Sequence, residues 1–123
     1  MVYYFDHEKL EIYQLAISFV DWCEEIIHRC EGRAPAKQHL DEASTSIPLN
    51  IAEGNGKWLP KDRRKYFEIA RSSALECGGC LDVLVAKKRL ATEEILPGKK
   101  MLKSIVSMLT RMVLNLSQQA EKK

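Results

Sequence analysis

Apolar residues recur every three to four positions in four long stretches of this chain, and Gly and Pro mark the first two gaps between stretches. That period belongs to helices with one buried face, and no alternating period-two segment competes with it, so the fold class is all-α. The first stretch carries Ile12, Leu15, Ala16, Phe19, Cys23, Ile26, Ile27 and Cys30, with Tyr13 and Val20 widening the stripe. So broad an arc serves more than one neighbouring helix. Asp6 is its expected N-cap, and it runs to Glu31 with Gly32 as stop signal. The second helix follows Pro35, from Ala36 to Asn55, and buries Leu40, Ala43, Ser44, Ile47 and Ile51. Pro48 sits well inside it. A mid-helix proline loses one hydrogen bond and presses on the turn before it, at about 3 kcal/mol in an exposed helix. A kink or local break is therefore expected between Ser44 and Pro48.

The third helix opens at Pro60 and runs to Arg89, with Tyr66, Phe67, Ala70, Ser73, Ala74, Cys77, Leu81, Leu84 and Val85 on its inner face. Thr92 is the expected cap of the fourth, with Glu93 and Glu94 at its positive end, and Pro97-Gly98 is expected to disturb its first turns. Four amphipathic helices on short loops make an antiparallel up-down-up-down bundle, one domain over residues 1–123 with a proline kink in its second helix.

Composition supports this and narrows the chemistry. With 123 residues, 46% of them hydrophobic, a core can form without staples. Aromatics at 7% argue against a sheet-rich core, and a net charge of +2 excludes both a histone-like cation and an acidic disordered tail. The start lacks a basic then apolar leader and no apolar run reaches eighteen residues, which predicts a cytoplasmic protein without membrane contact. The four cysteines then stay reduced. Cys77-Gly78-Gly79-Cys80 and the Cys23/Cys30 pair could in principle hold zinc, but zinc pairs sit in turns that splay their sulfurs. These lie within helices on or beside apolar stripes, where Cys serves as a small hydrophobe. No strand precedes the C-x-x-C, as redox motifs of that type require. His7, His28 and His39 are scattered, and Gly54-Asn55-Gly56-Lys57 lacks the spacing of a phosphate loop. No catalytic residue, metal or cofactor is expected. Glu53 and Glu76 could form a carboxylate pair, but the expectation is that Arg71 and Asn50 hold them structurally.

Charge is distributed unevenly. Residues 1–31 hold seven acids against Lys9 and Arg29, a net −5, which leaves +7 for the rest. One basic block is Lys57, Lys61, Arg63, Arg64 and Lys65; the other is Lys87, Lys88, Arg89, Lys99, Lys100 and Lys103. In a bundle they fall at opposite poles. Such blocks suit phosphate contact with RNA or DNA, with Trp58 or Tyr66 as a stacking platform, or simply keep the surface solvated. On the third helix, at 100° per residue, the outward positions change from Lys61, Arg64, Lys65 and Glu68 to Ser72, Leu75, Gly79, Val83 and Ala86. An outward face that turns small and apolar suggests a homo-oligomer interface. Gly78-Gly79 inside the helix points the same way, since each weakens it by about 1 kcal/mol relative to Ala. The alternative is a tight contact inside the bundle.

Ser46-Ile47-Pro48-Leu49-Asn50-Ile51-Ala52-Glu53-Gly54 resembles the signature of four-helix bundle proteins encoded in intervening sequences of bacterial 23S ribosomal RNA genes. Leu10 to Ala16 is similar to that family's opening helix, and Tyr66 to Glu76 resembles its third-helix motif. The resemblance implies a homopentameric ring without enzymatic activity and with a role in binding nucleic acid. A related fold serves diversity-generating retroelements as a basic pentamer beside a reverse transcriptase. It gives Pro48, Asn50, Glu53, Gly54, Arg71 and Glu76 a structural role. One departure is Asp41-Glu42, where members often carry basic residues. That moves any nucleic-acid surface off the second helix and onto Lys57, Trp58, Lys61, Arg63, Arg64 and Lys65, or onto the Lys87–Lys103 block. The competing reading is a scaffold ring that recruits a protein partner, with the acidic first helix as its docking face.

Overall fold

The computed structural model describes residues 2–121. A 3-10 turn at Asp6–Lys9 leads into α1 (Glu11–Arg29), α2 (Pro35–Gly56), α3 (Pro60–Ala86) and α4 (Thr92–Glu121). Asp6 is thus not the cap of a long first helix. Glu8 Oε2 accepts from the Tyr4 N–H at 2.6 Å and the Phe5 N–H at 3.1 Å and closes the turn early. The Phe5 N–H first, then that of Tyr4, holds the Glu8 carboxyl below the usual carboxylate range. Leu10 is extended, and α1 begins after it.

At the other end α1 stops at Arg29, two residues early, and Gly32 reverses the chain at φ +79°. The orphan carbonyls there are met by cations. Lys37 Nζ donates to Cys30 O at 2.7 Å and Gly32 O at 3.1 Å, and Arg89 Nη1 donates to Glu31 O at 3.0 Å. Positive charge at a helix C-terminus is favourable on two counts, hydrogen bonding and the helix dipole.

Pro35 takes the first position of α2, where its missing N–H is no loss. Of the kink or local break expected between Ser44 and Pro48, the break does not occur: helical structure continues through Pro48 to Gly56. Pro48 is buried, and removing its ring from water offsets the missing bond. The surrounding polar groups bond locally: Ser44 Oγ and Thr45 Oγ1 donate to Asp41 O, and Asn50 Nδ2 donates to the carbonyl and hydroxyl of Ser46.

α3 ends at Ala86, not at Arg89, in a Schellman motif. The Lys88 N–H donates to Val85 O at 3.0 Å and the Arg89 N–H to Leu84 O at 2.9 Å, with Lys88 at φ +62° in the place glycine usually takes. In α4, Thr92 is the first helical residue and Ala91 precedes it at the cap position; Glu94 Oε1 accepts the Ala91 N–H at 2.9 Å. Pro97 does not interrupt the helix.

Each helix packs on its neighbours in sequence, and α4 closes against α1. Between α3 and α4 rising numbers meet falling numbers: Arg64 meets Ser117, Arg71 meets Thr110 and Gly78 meets Leu102. All four helices supply one core, centred on Phe19, Ile26, Leu40, Ile47, Phe67 and Ile105. Each such side chain contributes about 1.5–3 kcal/mol on burial. Two seams close on glycine. A Cβ at Gly98 of α4 would strike the Trp22 ring of α1, and one at Gly54 of α2 would lie 2.8 Å from Phe67 Cε1. Trp22 also stacks on Phe19, at 5.8 Å between ring centroids.

Candidate nucleic-acid interface

The three-residue connection Lys57–Leu59 joins α2 to α3 and carries Trp58 at its middle, 95% exposed, with Leu59 beside it also exposed. Lys57 Nζ lies 3.5 Å from Glu53 Oε2 and 5.2 Å from the centroid of Tyr66, while Lys65 Nζ lies 5.8 Å from the same ring. Two ammonium groups share one aromatic ring at distances where cation–π attraction acts. Lys61, one turn earlier than Lys65, is exposed and has no ion-pair partner among the described residues.

The block is not uniform, contrary to its even appearance in sequence. Arg63 Nη1 donates to Asn55 O at 3.2 Å and Lys57 O at 3.3 Å, and its guanidinium lies over Phe67. It caps the end of α2, which sets its orientation. Arg64 faces Ser117 at 3.4 Å and Glu68 at 3.8 Å, on the α3–α4 side. The pole gains aromatic groups that charge patterning does not reveal. Asn55 Nδ2 donates to Asp6 Oδ2 at 3.2 Å, which brings exposed Tyr4 and Phe5 to the same end of the bundle.

The second basic block divides as well. Arg89 is bound to Glu31 O and Lys99 pairs with Asp82 at 2.8 Å, leaving Lys87, Lys88, Lys100 and Lys103 exposed to solvent. Along the outward side of α3, Ser72, Leu75, Gly79, Val83 and Ala86 are all exposed, Leu75 by 52%. Nothing lies within 4 Å of a Cβ built at Gly79, and at Gly78 only Leu102 Cδ1 at 3.9 Å. A tight contact inside the bundle is therefore not what these glycines serve.

The expected bonds of the motif residues are redistributed. Asn50 bonds Ser46, Glu53 pairs with Lys57, and Arg71 Nε donates to Thr110 Oγ1 at 2.8 Å, so neither Asn50 nor Arg71 holds a glutamate. Gly54 needs its missing side chain because Phe67 and Tyr66 fill that space. The four cysteines are buried as free thiols. Burial pushes Cys23 up to about 12, and it raises Cys30, Cys77 and Cys80 above the ordinary thiol value too. Thiols so protonated are poor nucleophiles and poor ligands. Among the described residues no group of three or more His, Cys, Asp or Glu side chains is placed to hold a metal ion, and no helix is long and apolar enough to cross a membrane.

No curated protein sequence matches the chain. A solved structure does: a protein of unknown function from the S23 ribosomal protein family of Bacteroides thetaiotaomicron VPI-5482. It superimposes with a TM-score of 0.79 at 16% identity, over 83% of this chain and 97% of that one. So low an identity establishes a shared fold. The sequence pattern of the 23S rRNA-intervening sequence proteins matches residues 8–111, the span from the 3-10 turn to well into α4. With the bundle, the Pro48–Gly54 segment and this match in agreement, the chain belongs to the family of 23S rRNA-intervening sequence proteins.

Proposed function

We propose that this protein is a non-enzymatic accessory module that assembles with copies of itself, as a pentameric ring, and binds RNA or DNA in the cytoplasm. The observation that carries the binding half is Trp58, an almost fully exposed indole set among Lys57, Lys61 and Lys65. Every nucleobase has a face that such a ring can stack on, worth about 1–3 kcal/mol per base, while lysines neutralise phosphates. Assembly in a ring repeats the patch around an axis and multiplies weak contacts. The exposed Leu75 and Val83 support the self-association half, since apolar groups on a helix crest favour cover.

Binding of a fluorescent oligonucleotide at low salt tests the reading. Trp58→Ala is expected to weaken binding by the stacking increment. Lys61→Glu with Lys65→Glu is expected to flatten the salt dependence, by about 0.9 log units per log salt for each duplex phosphate no longer neutralised. No binding by the parent at any salt concentration overturns it. Assembly that persists without nucleic-acid affinity would instead favour a scaffold, for which acidic α1 offers Glu11, Asp21, Glu24 and Glu25 on its exposed side.

A further inference from the structure

We propose that Arg71 and Glu76 form ion pairs between copies of this chain, and that these pairs set the register of self-association along α3. The inference rests on the self-assembly reading above and adds the residues that direct it. Arg71 is half-buried, and its only bond among the described residues is from Nε to Thr110 Oγ1, which leaves the two outer nitrogens of the guanidinium without a carboxylate. Glu76 is exposed and has neither an ion pair nor a hydrogen bond there. Five residues separate them, so they stand about 140° apart around the helix, one on each flank of its outward crest.

Each flank is a groove. Glu76 lies in one with Lys65, Ile69 and Ser73, and Arg71 in the other with Thr110, Val113 and Leu114. Glu68 and Ser72 border both. Half-exposed apolar groups sit in each groove, Ile69 on one side and Leu114 on the other. In a ring each copy offers its Glu76 flank to one neighbour and its Arg71 flank to the other, so every contact brings unlike charges together. Gly79, with nothing near it, lies one turn beyond Leu75 on the same crest and admits a neighbouring backbone. A copy of this chain is therefore the occupant that both the charges and the open glycine fit. Closing the contact excludes water from the guanidinium and carboxylate, which strengthens a correct pairing and penalises a shifted one.

The test is sedimentation of the full chain across a concentration series, with helicity followed by circular dichroism. Arg71→Glu and Glu76→Arg are each expected to weaken assembly by about tenfold or more, and the double variant, which restores opposite charges across every contact, to return to within about threefold of the parent. Because Glu76 is exposed and makes no hydrogen bond or ion pair among the described residues, Glu76→Arg is expected to leave the bundle intact and keeps the test meaningful should Arg71→Glu misfold. An oligomeric parent whose Glu76→Arg variant assembles equally well overturns the ion pair alone. Failure of the folded double variant to recover overturns it too. A parent that stays monomeric overturns the self-assembly reading and this inference together.

Discussion

Glycine occupies helical positions in two regions of this molecule, with opposite surroundings. At Gly54 and Gly98 an aromatic ring fills the place where a side chain would stand: Phe67 between α2 and α3, Trp22 between α1 and α4. At Gly78 and Gly79 on α3 that place is ordinary contact or open space. The helix is weakened about equally in each case, by about 1 kcal/mol relative to Ala. In the seams the compensation lies inside the chain. On α3 nothing in the chain's own bundle fills that place at Gly79, and the proposed compensation is cover by a second copy along the crest of this helix.

Filling the seams is the largest way to break this contrast. Gly98→Ala is expected to expel Trp22 and lower unfolding stability by about 1–3 kcal/mol, the range for overpacking, with a red shift of the indole emission in a Trp58→Phe background. Gly54→Ala should lose a comparable but smaller amount, because the nearest ring atom lies 2.8 Å away and can yield slightly.

The inner side of α3 gives a pH test. Cys77 and Cys80, one on either side of the glycine pair, are buried thiols raised by burial, as is Cys23 opposite them on α1. A folded pKa above the unfolded one favours the protonated, folded form. Stability from these thiols is therefore complete below their ordinary value of 9.0 and declines as pH rises from there towards about 12. Thermal melts should fall across that window, and Cys23→Ala should flatten the fall. Alkylation of the native protein at neutral pH should be slow at all four sites.

The outer side gives the reverse of the seam result. Gly79→Ala is expected to raise the stability of the dissociated chain by about 1 kcal/mol in denaturant titrations at low concentration, while weakening assembly at high concentration. A Gly79→Ala variant that both gains stability and assembles normally would show that no neighbouring copy needs the open space at this glycine. The smallest effect belongs to Lys88, held at φ +62° where an L side chain crowds the backbone. Lys88→Gly should stabilise by about 0.5–1 kcal/mol, since the Schellman bonds are already in place.

Much of the fold was legible in the residues themselves. Apolar spacing located all four helices, because burial of one face is a periodic demand that leaves a periodic trace. Their ends were less legible, since several are decided by long-range bonds: Arg89 reaches Glu31, Arg63 reaches Asn55, and Lys37 turns back to Cys30. The uninterrupted course of α2 through Pro48 follows from burial, which a local rule does not see.

The basic block at Lys57–Lys65 was visible as composition, yet only packing separates its members. Arg63 is oriented by carbonyls, Arg64 faces α4, and Lys61 and Lys65 remain turned to solvent. Charge and hydropathy are properties of single residues, so the chain alone determined that there would be four helices, where their apolar faces lie and which segments are cationic. Which glycine meets a ring, which arginine is bound and which glutamate stays without a partner are properties of pairs distant in sequence. The tertiary structure decided those, because only the closing of the bundle brings the pairs within reach.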